Sequence, residues 1–191
     1  MADSIPLRWT GDAHADALIS HDAVAMLIGF ALDQQVTVQK AFSGPLELEQ
    51  RIGTLSPRFI AAIDPDSLAA TFADRPALHR FPAAMAKRVQ DLCAVLSTTY
   101  DGDPTRMWSA GEDANTVRGR LLALPGIGEM QATTIVAVLV QRLGVELAGW
   151  QALMPDHATL ADVDSPEALA AYQAGKRARK SAPRVGTGCR T

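Results

Sequence analysis

Residues 124–128 read Leu-Pro-Gly-Ile-Gly and separate two stretches with helical patterning. The first, Asn115 to Ala123, brings apolar residues up to the turn. The second carries Ala132, Ile135, Val136, Leu139 and Leu143 at the spacing of one helix face. A Pro-Gly-x-Gly corner between helices constrains a chain strongly. Its glycines admit positive φ and a close backbone approach, which most side chains forbid. It also leaves N–H groups at the start of the second helix without intrahelical partners, and the helix dipole reinforces them, so the corner suits a phosphate oxygen. The competing reading is a tight helix–helix corner with no ligand.

The rest of the chain is patterned for helices. Aromatic residues make up 5% of it and alanine and leucine dominate, a balance that favours helix over strand. Ser20 is expected to cap a helix beginning near Asp22 and running through Leu32, apolar nearly all round and therefore central. A second helical stretch begins at Gln39, Gly44-Pro45 is expected to interrupt it, and a short helix then covers 46–52. Further helices are expected from Ser56-Pro57 to Ile63, from Ser67 to Phe72, and from Ala83 to Tyr100. The last carries a stripe of Met85, Val89, Leu92, Cys93 and Leu96, with Cys93 read as a small core residue. No strand pattern of any length stands out.

The segment Leu124-Pro-Gly-Ile-Gly-Glu-Met-Gln-Ala132 resembles the hairpin of the helix-hairpin-helix base-excision DNA glycosylase superfamily (HhH-GPD). The order of elements over residues 20–145 is similar as well: a buried helix, a Gln-Gln turn, short helices, a long helix and the hairpin. The resemblance implies an all-α fold of two small helical lobes around a central cleft. The chain divides into an N-terminal arm (1–19), an HhH-GPD-like domain (20–172) and a basic tail (173–191), with a short C-terminal helix expected from Ala168 to Lys180 and disorder expected from the Gly186-Thr187-Gly188 ending. The implied partner is double-stranded DNA, damaged DNA included, bound by a monomer. The implied activity is that of a monofunctional DNA N-glycosylase. Two alternatives stay open: a DNA or lesion-recognition module without chemistry, and a helical protein-interaction domain.

Residue by residue, the resemblance assigns phosphate binding to the backbone of Gly126, Ile127 and Gly128, contacts that position a protein without reading sequence. It places Gln35, more than Gln34, where a side chain fills the gap left by a flipped base. Position 130 is methionine where bifunctional members carry a Schiff-base lysine, so a lyase reaction through that residue is not expected. The family's catalytic aspartate has no counterpart at its matching place near Ala148. Asp156 is the candidate taken for it, ahead of Glu146, and the competing reading is an exposed helix-capping carboxylate. His157 beside it reads as a surface residue. Trp108 and Trp150 flank the hairpin unit and are read first as gap-fillers between helices, second as stacking platforms for an extruded base. Trp9 reads as an anchor for the N-terminal arm.

Charge and cysteines narrow the classes. Net charge is −3, but the last sixteen residues hold Lys176, Arg177, Arg179, Lys180, Arg184 and Arg190 with no acid, leaving 12 basic against 21 acidic residues elsewhere. Of these, Lys176, Arg177, Arg179 and Lys180 are candidate DNA contacts, the alternative being a solvated tail. Lys87 and Arg88 on the long helix could also reach phosphates, though a solvated face is the simpler reading for each. Two cysteines cannot form a four-thiolate iron–sulfur site, nor do they make a zinc pattern with the four histidines, so no metal and no cofactor is expected. The N-terminus lacks the pattern of a signal peptide and Ile135 to Val140 is too short to span a bilayer. No membrane role is expected, and the location is taken as cytoplasmic, nucleoid-associated in a bacterium.

Overall fold

A computed structural model describes residues 5–181, with the side chains of 179–181 left out. Among the described residues the fold is all-α apart from one two-residue parallel pairing. Its helices are α1 (Ala13–His21), α2 (Ala23–Leu32), α3 (Val38–Ile52), α4 (Pro57–Ala62), α5 (Pro65–Ala73), α6 (Pro82–Tyr100), α7 (Ala114–Leu122), α8 (Glu129–Gln141) and α9 (Pro166–Ser181). Glu112 and Asp113 pair with Leu147 and Ala148, tying the segment before α7 to the one after α8. Among the described residues no single helix is long and apolar enough to cross a membrane.

Short acidic and hydroxyl side chains start these helices by accepting hydrogen bonds from the first free N–H groups. Asp12 accepts from His14 and Ala15 at the head of α1, Asp22 from Val24 and Ala25 at the head of α2, and Asp113 from Thr116 at the head of α7. Two expectations change here. Ser20 is not a cap. It lies inside α1, where its hydroxyl donates to the Asp16 carbonyl at 2.6 Å and accepts from the Leu7 N–H at 2.9 Å, and Asp22 does the capping. The segment read as an N-terminal arm therefore includes α1, and Leu7 and Trp9 before it are fully buried.

The second change is at Gly44-Pro45, where α3 runs unbroken. Packing overrides the local preference, because Val38, Ala41, Phe42, Gly44, Pro45 and Leu48 are all buried and the helix could not be broken there without exposing them. Two glycines allow α2 and α3 to lie this close. A Cβ at Gly29 would meet the Phe42 ring at 2.4 Å, and one at Gly44 would meet Leu32 Cδ1 at 2.7 Å. Trp9, Phe30 and Phe42 close the same core edge to face, with centroids 4.7–6.0 Å apart.

Helices α1, α3 and α6 pack against α2, every residue of which from Val24 to Leu32 is buried, and α4 and α5 pack on α6. The α7–α8 hairpin, with the irregular segment 150–163, forms a second group of contacts. Helix α8 is buried over Ile135–Leu139, more completely than a single apolar face requires. The buried Arg142 after it donates to the Ala161 carbonyl at 2.5 Å and fixes the returning segment. Helix α9 forms where the helix Ala168 to Lys180 is expected, so residues 173–181 are helical and the disorder expected of the tail does not extend over them. It folds back so that Gln173 donates to Gln39 at 2.7 Å and Lys176 reaches Asp33.

Candidate nucleic-acid interface and cavity

The corner at 124–128 forms as the sequence requires, with Gly126 at φ +88°. A Cβ there would also lie 2.4 Å from Arg88 Cδ, so the position demands glycine twice over. Gly128 is different. Its φ is −96° and nothing comes closer than 3.9 Å to an added Cβ.

The donors of the corner are not all open. Ile127 N–H bonds the Leu124 carbonyl at 3.2 Å, and Gly128 N–H bonds Gln131 Oε1 at 2.9 Å. The expectation of three free backbone donors is corrected to one, Gly126 N–H, which has no partner among the described residues. The first turn of α8 supplies more, since no side chain caps it. Arg88 adds charge beside them. Its stem lies over Gly126, its only bond is to Met85 Sδ at 3.4 Å, and among the described residues no carboxylate pairs with it. Lys87, next in sequence, is held by Asp91 at 2.7 Å.

Gln131 ties the hairpin to the other group of helices. While its Oε1 accepts from Gly128, its Nε2 donates to the Phe30 carbonyl at 2.6 Å. The turn after α2 is held on the same side. Gln34 N–H reaches the Leu32 carbonyl at 2.6 Å, and His79 Nε2 bonds the Gln34 carbonyl at 3.0 Å. His79 is 2% exposed and its Nδ1 accepts from Phe81 N–H at 3.1 Å, which leaves Nε2 as the donor of a neutral ring. Burial pushes its pKa below the ordinary value, outweighing the bond to Gln34 that acts the other way. Gln35, next along, sits exposed at φ +58°. A non-glycine residue in that region costs on the order of 1–3 kcal/mol and persists only where its neighbours over-determine it.

Between this turn, the start of α8 and α9 lies a cavity of about 590 Å³. Phe30, Asp33, Gln34, Gly128, Met130 and Gln131 line one side, and Pro155, His157, Tyr172 and Lys176 the other. Met130 is 60% exposed there. Asp33 is the residue the sequence did not single out. Its side chain is 7% exposed, and one carboxylate oxygen accepts from Lys176 Nζ at 2.9 Å. The signal was present, since Asp33 is the first charged residue after ten of apolar helix, yet a helix-ending carboxylate is ordinary without its distant partner.

Asp156 is elsewhere. Its carboxylate is fully exposed, contacts only His157 Nδ1 at 3.3 Å, and is not part of the cavity lining. Its neighbour His157, read as a surface residue, does line it. Glu146 is exposed and also outside. Trp108 and Trp150 pack against the core and neither lines the cavity. The tail candidates divide. Lys176 is bound to Asp33, Arg177 is exposed, and the side chains of Arg179 and Lys180 lie outside the described residues. Among the described residues no cluster of three His, Cys, Asp or Glu could hold a metal, and Cys93 is buried with its thiol pKa pushed up to about 12.

Comparison with protein-family models, curated proteins and solved structures gave no match.

Proposed function

We propose that this chain binds duplex DNA as an HhH-GPD-type protein of two helical lobes and acts as a monofunctional DNA N-glycosylase. One observation carries the reading: a cavity of about 590 Å³, open beside the uncapped first turn of α8. That volume falls within the roughly 300–1,000 Å³ of small-ligand sites. An extruded nucleotide would place its phosphate at the Gly126 N–H, the α8 N-terminus and Arg88, and its base in the cavity. Tyr172 and His157 are the ring-bearing side chains that line it without being buried in the core, in place of Trp108 and Trp150. Gln35, exposed on a strained turn pinned by His79 and adjoining the cavity, is the residue suited to enter the vacated stack. Met130 offers the cavity a thioether where bifunctional members carry the Schiff-base amine, and the amine that does line it, on Lys176, is engaged by Asp33, so the strand is expected to stay intact after base loss.

The test is binding and cleavage on one set of duplexes carrying uracil, alkylated purines, oxidised bases or mismatches. Affinity should fall steeply with salt. Gln35→Ala should weaken binding to the preferred lesion by roughly twofold to tenfold, as expected for loss of a hydrogen bond to the orphaned base worth about 0.5–1.5 kcal/mol. Strand breaks should appear only after alkali. Salt-dependent binding without breaks on any duplex would make the protein a recognition module. Absence of salt-dependent binding would refute the DNA reading and leave protein interaction.

A further inference from the structure

The geometry points to Asp33 as the catalytic carboxylate of this cavity, an assignment that rests on the glycosylase reading above. A glycosylase needs a negative charge held near the sugar and shielded from water, and three of the acidic side chains near the hairpin do not meet that demand. Glu129 lines the cavity but is 75% exposed and paired with Arg118. Asp156 and Glu146 are exposed and outside it. Asp33 lines the cavity with its side chain 7% exposed. One oxygen is fixed by Lys176, and the other has no protein partner among the described residues.

Its position is also enforced. Asp33 ends α2 with its N–H on the Phe30 carbonyl at 3.2 Å, and the same Phe30 carbonyl accepts from Gln131 of the hairpin. The carboxylate is therefore registered to the hairpin that would hold the phosphate. Lys176 acts as a positioning residue, delivered by α9 from 143 residues away in sequence.

The reaction follows. The bond between the sugar C1′ and the base nitrogen breaks, and its electron pair leaves with the base, which takes a proton from solvent. Positive charge develops on C1′ and the ring oxygen, where the Asp33 carboxylate opposes it. Water then forms a bond to C1′, and its proton passes to Asp33 and on to solvent. The products are the free base and an abasic site.

Asp33→Asn keeps the shape and removes the charge. Single-turnover base release should fall by about 10²–10³-fold, as when one group stabilising transition-state charge is removed. A second readout needs no turnover. The wild-type protein should prefer a duplex carrying a protonated pyrrolidine abasic analogue over one carrying neutral tetrahydrofuran, and Asp33→Asn should lose that preference. Asp33→Ser serves the same comparison if the amide disturbs folding. Wild-type release with Asp33→Asn retaining more than a tenth of the rate overturns the assignment alone. No release by the wild type from any lesion overturns the glycosylase reading and the assignment with it. Strand breaks without alkali that vanish in Lys176→Gln would make Lys176 the nucleophile instead, and would equally overturn it.

Discussion

Gly126→Ala tests the hairpin most sharply, because two separable costs meet at one atom. The new methyl would be held at φ +88° and would sit 2.4 Å from Arg88 Cδ and 2.8 Å from its Cγ. Positive φ costs a non-glycine residue about 1–2 kcal/mol, and driving Arg88 from its rotamer adds about 0.5–1.5 kcal/mol. The variant should thus lose roughly 1.5–3.5 kcal/mol, or roughly 3–14 °C in Tm for a chain of this size. Chemical denaturation of four proteins apportions it: wild type, Gly126→Ala, Arg88→Ala and the double variant. The double variant should recover the overlap cost, a coupling of about 0.5–1.5 kcal/mol, and keep the φ cost. Gly128→Ala is the control and should stay within about 0.5 kcal/mol of the wild type. Equal stability of the two alanine variants would refute the geometry given for Gly126.

Other expectations bear on separate links of the account. Arg88→Ala should lower the slope of log affinity against log salt by about 1, the signature of one lost phosphate contact. Lys87→Ala, whose ammonium is occupied by Asp91, should leave that slope unchanged; equal effects of the two would remove Arg88 from the interface. His79 has a folded pKa below 6.5, so the unfolded chain binds the proton more readily. The stability it contributes is present above pH 6.5 and lost as pH falls from there through the folded pKa. Protonation also turns Nδ1 from acceptor to donor against Phe81 N–H. Urea midpoints measured from pH 7.5 to about 5 should therefore fall more steeply for the wild type than for His79→Gln. Parallel slopes would contradict the neutral, buried ring.

What the sequence disclosed was local. The positive-φ glycine of the corner, the buried stripe of α6 and the all-apolar α2 follow from spacing and composition, and each is found where its residues dictate. What it hid depends on contacts between distant residues. Pro45 reads as a helix breaker until the six buried positions of α3 are counted against it. Asp33 and Lys176 are 143 residues apart, and neither is unusual alone. Gln131 looks like a surface residue of a helix start, yet it spans 101 residues to bond Phe30 and occupies the donor of Gly128. Asp156 and His157 show how little adjacency in sequence implies, since one faces water and the other the cavity. Helix α9 was legible as a helix, but its lysines and arginines read as a solvated tail, and only the fold shows that it supplies Tyr172 and Lys176 to the cavity wall.

The central claim is base excision in the cavity beside the hairpin. Its most direct measurement is chromatographic detection of free base after incubation with lesion-bearing duplexes, with strand integrity followed in the same samples. The account expects a free base from at least one lesion, an unbroken strand until alkali is added, and loss of both the free base and the alkali-dependent breaks in Asp33→Asn. Absence of free base from every duplex, under conditions where the protein is bound, would contradict it.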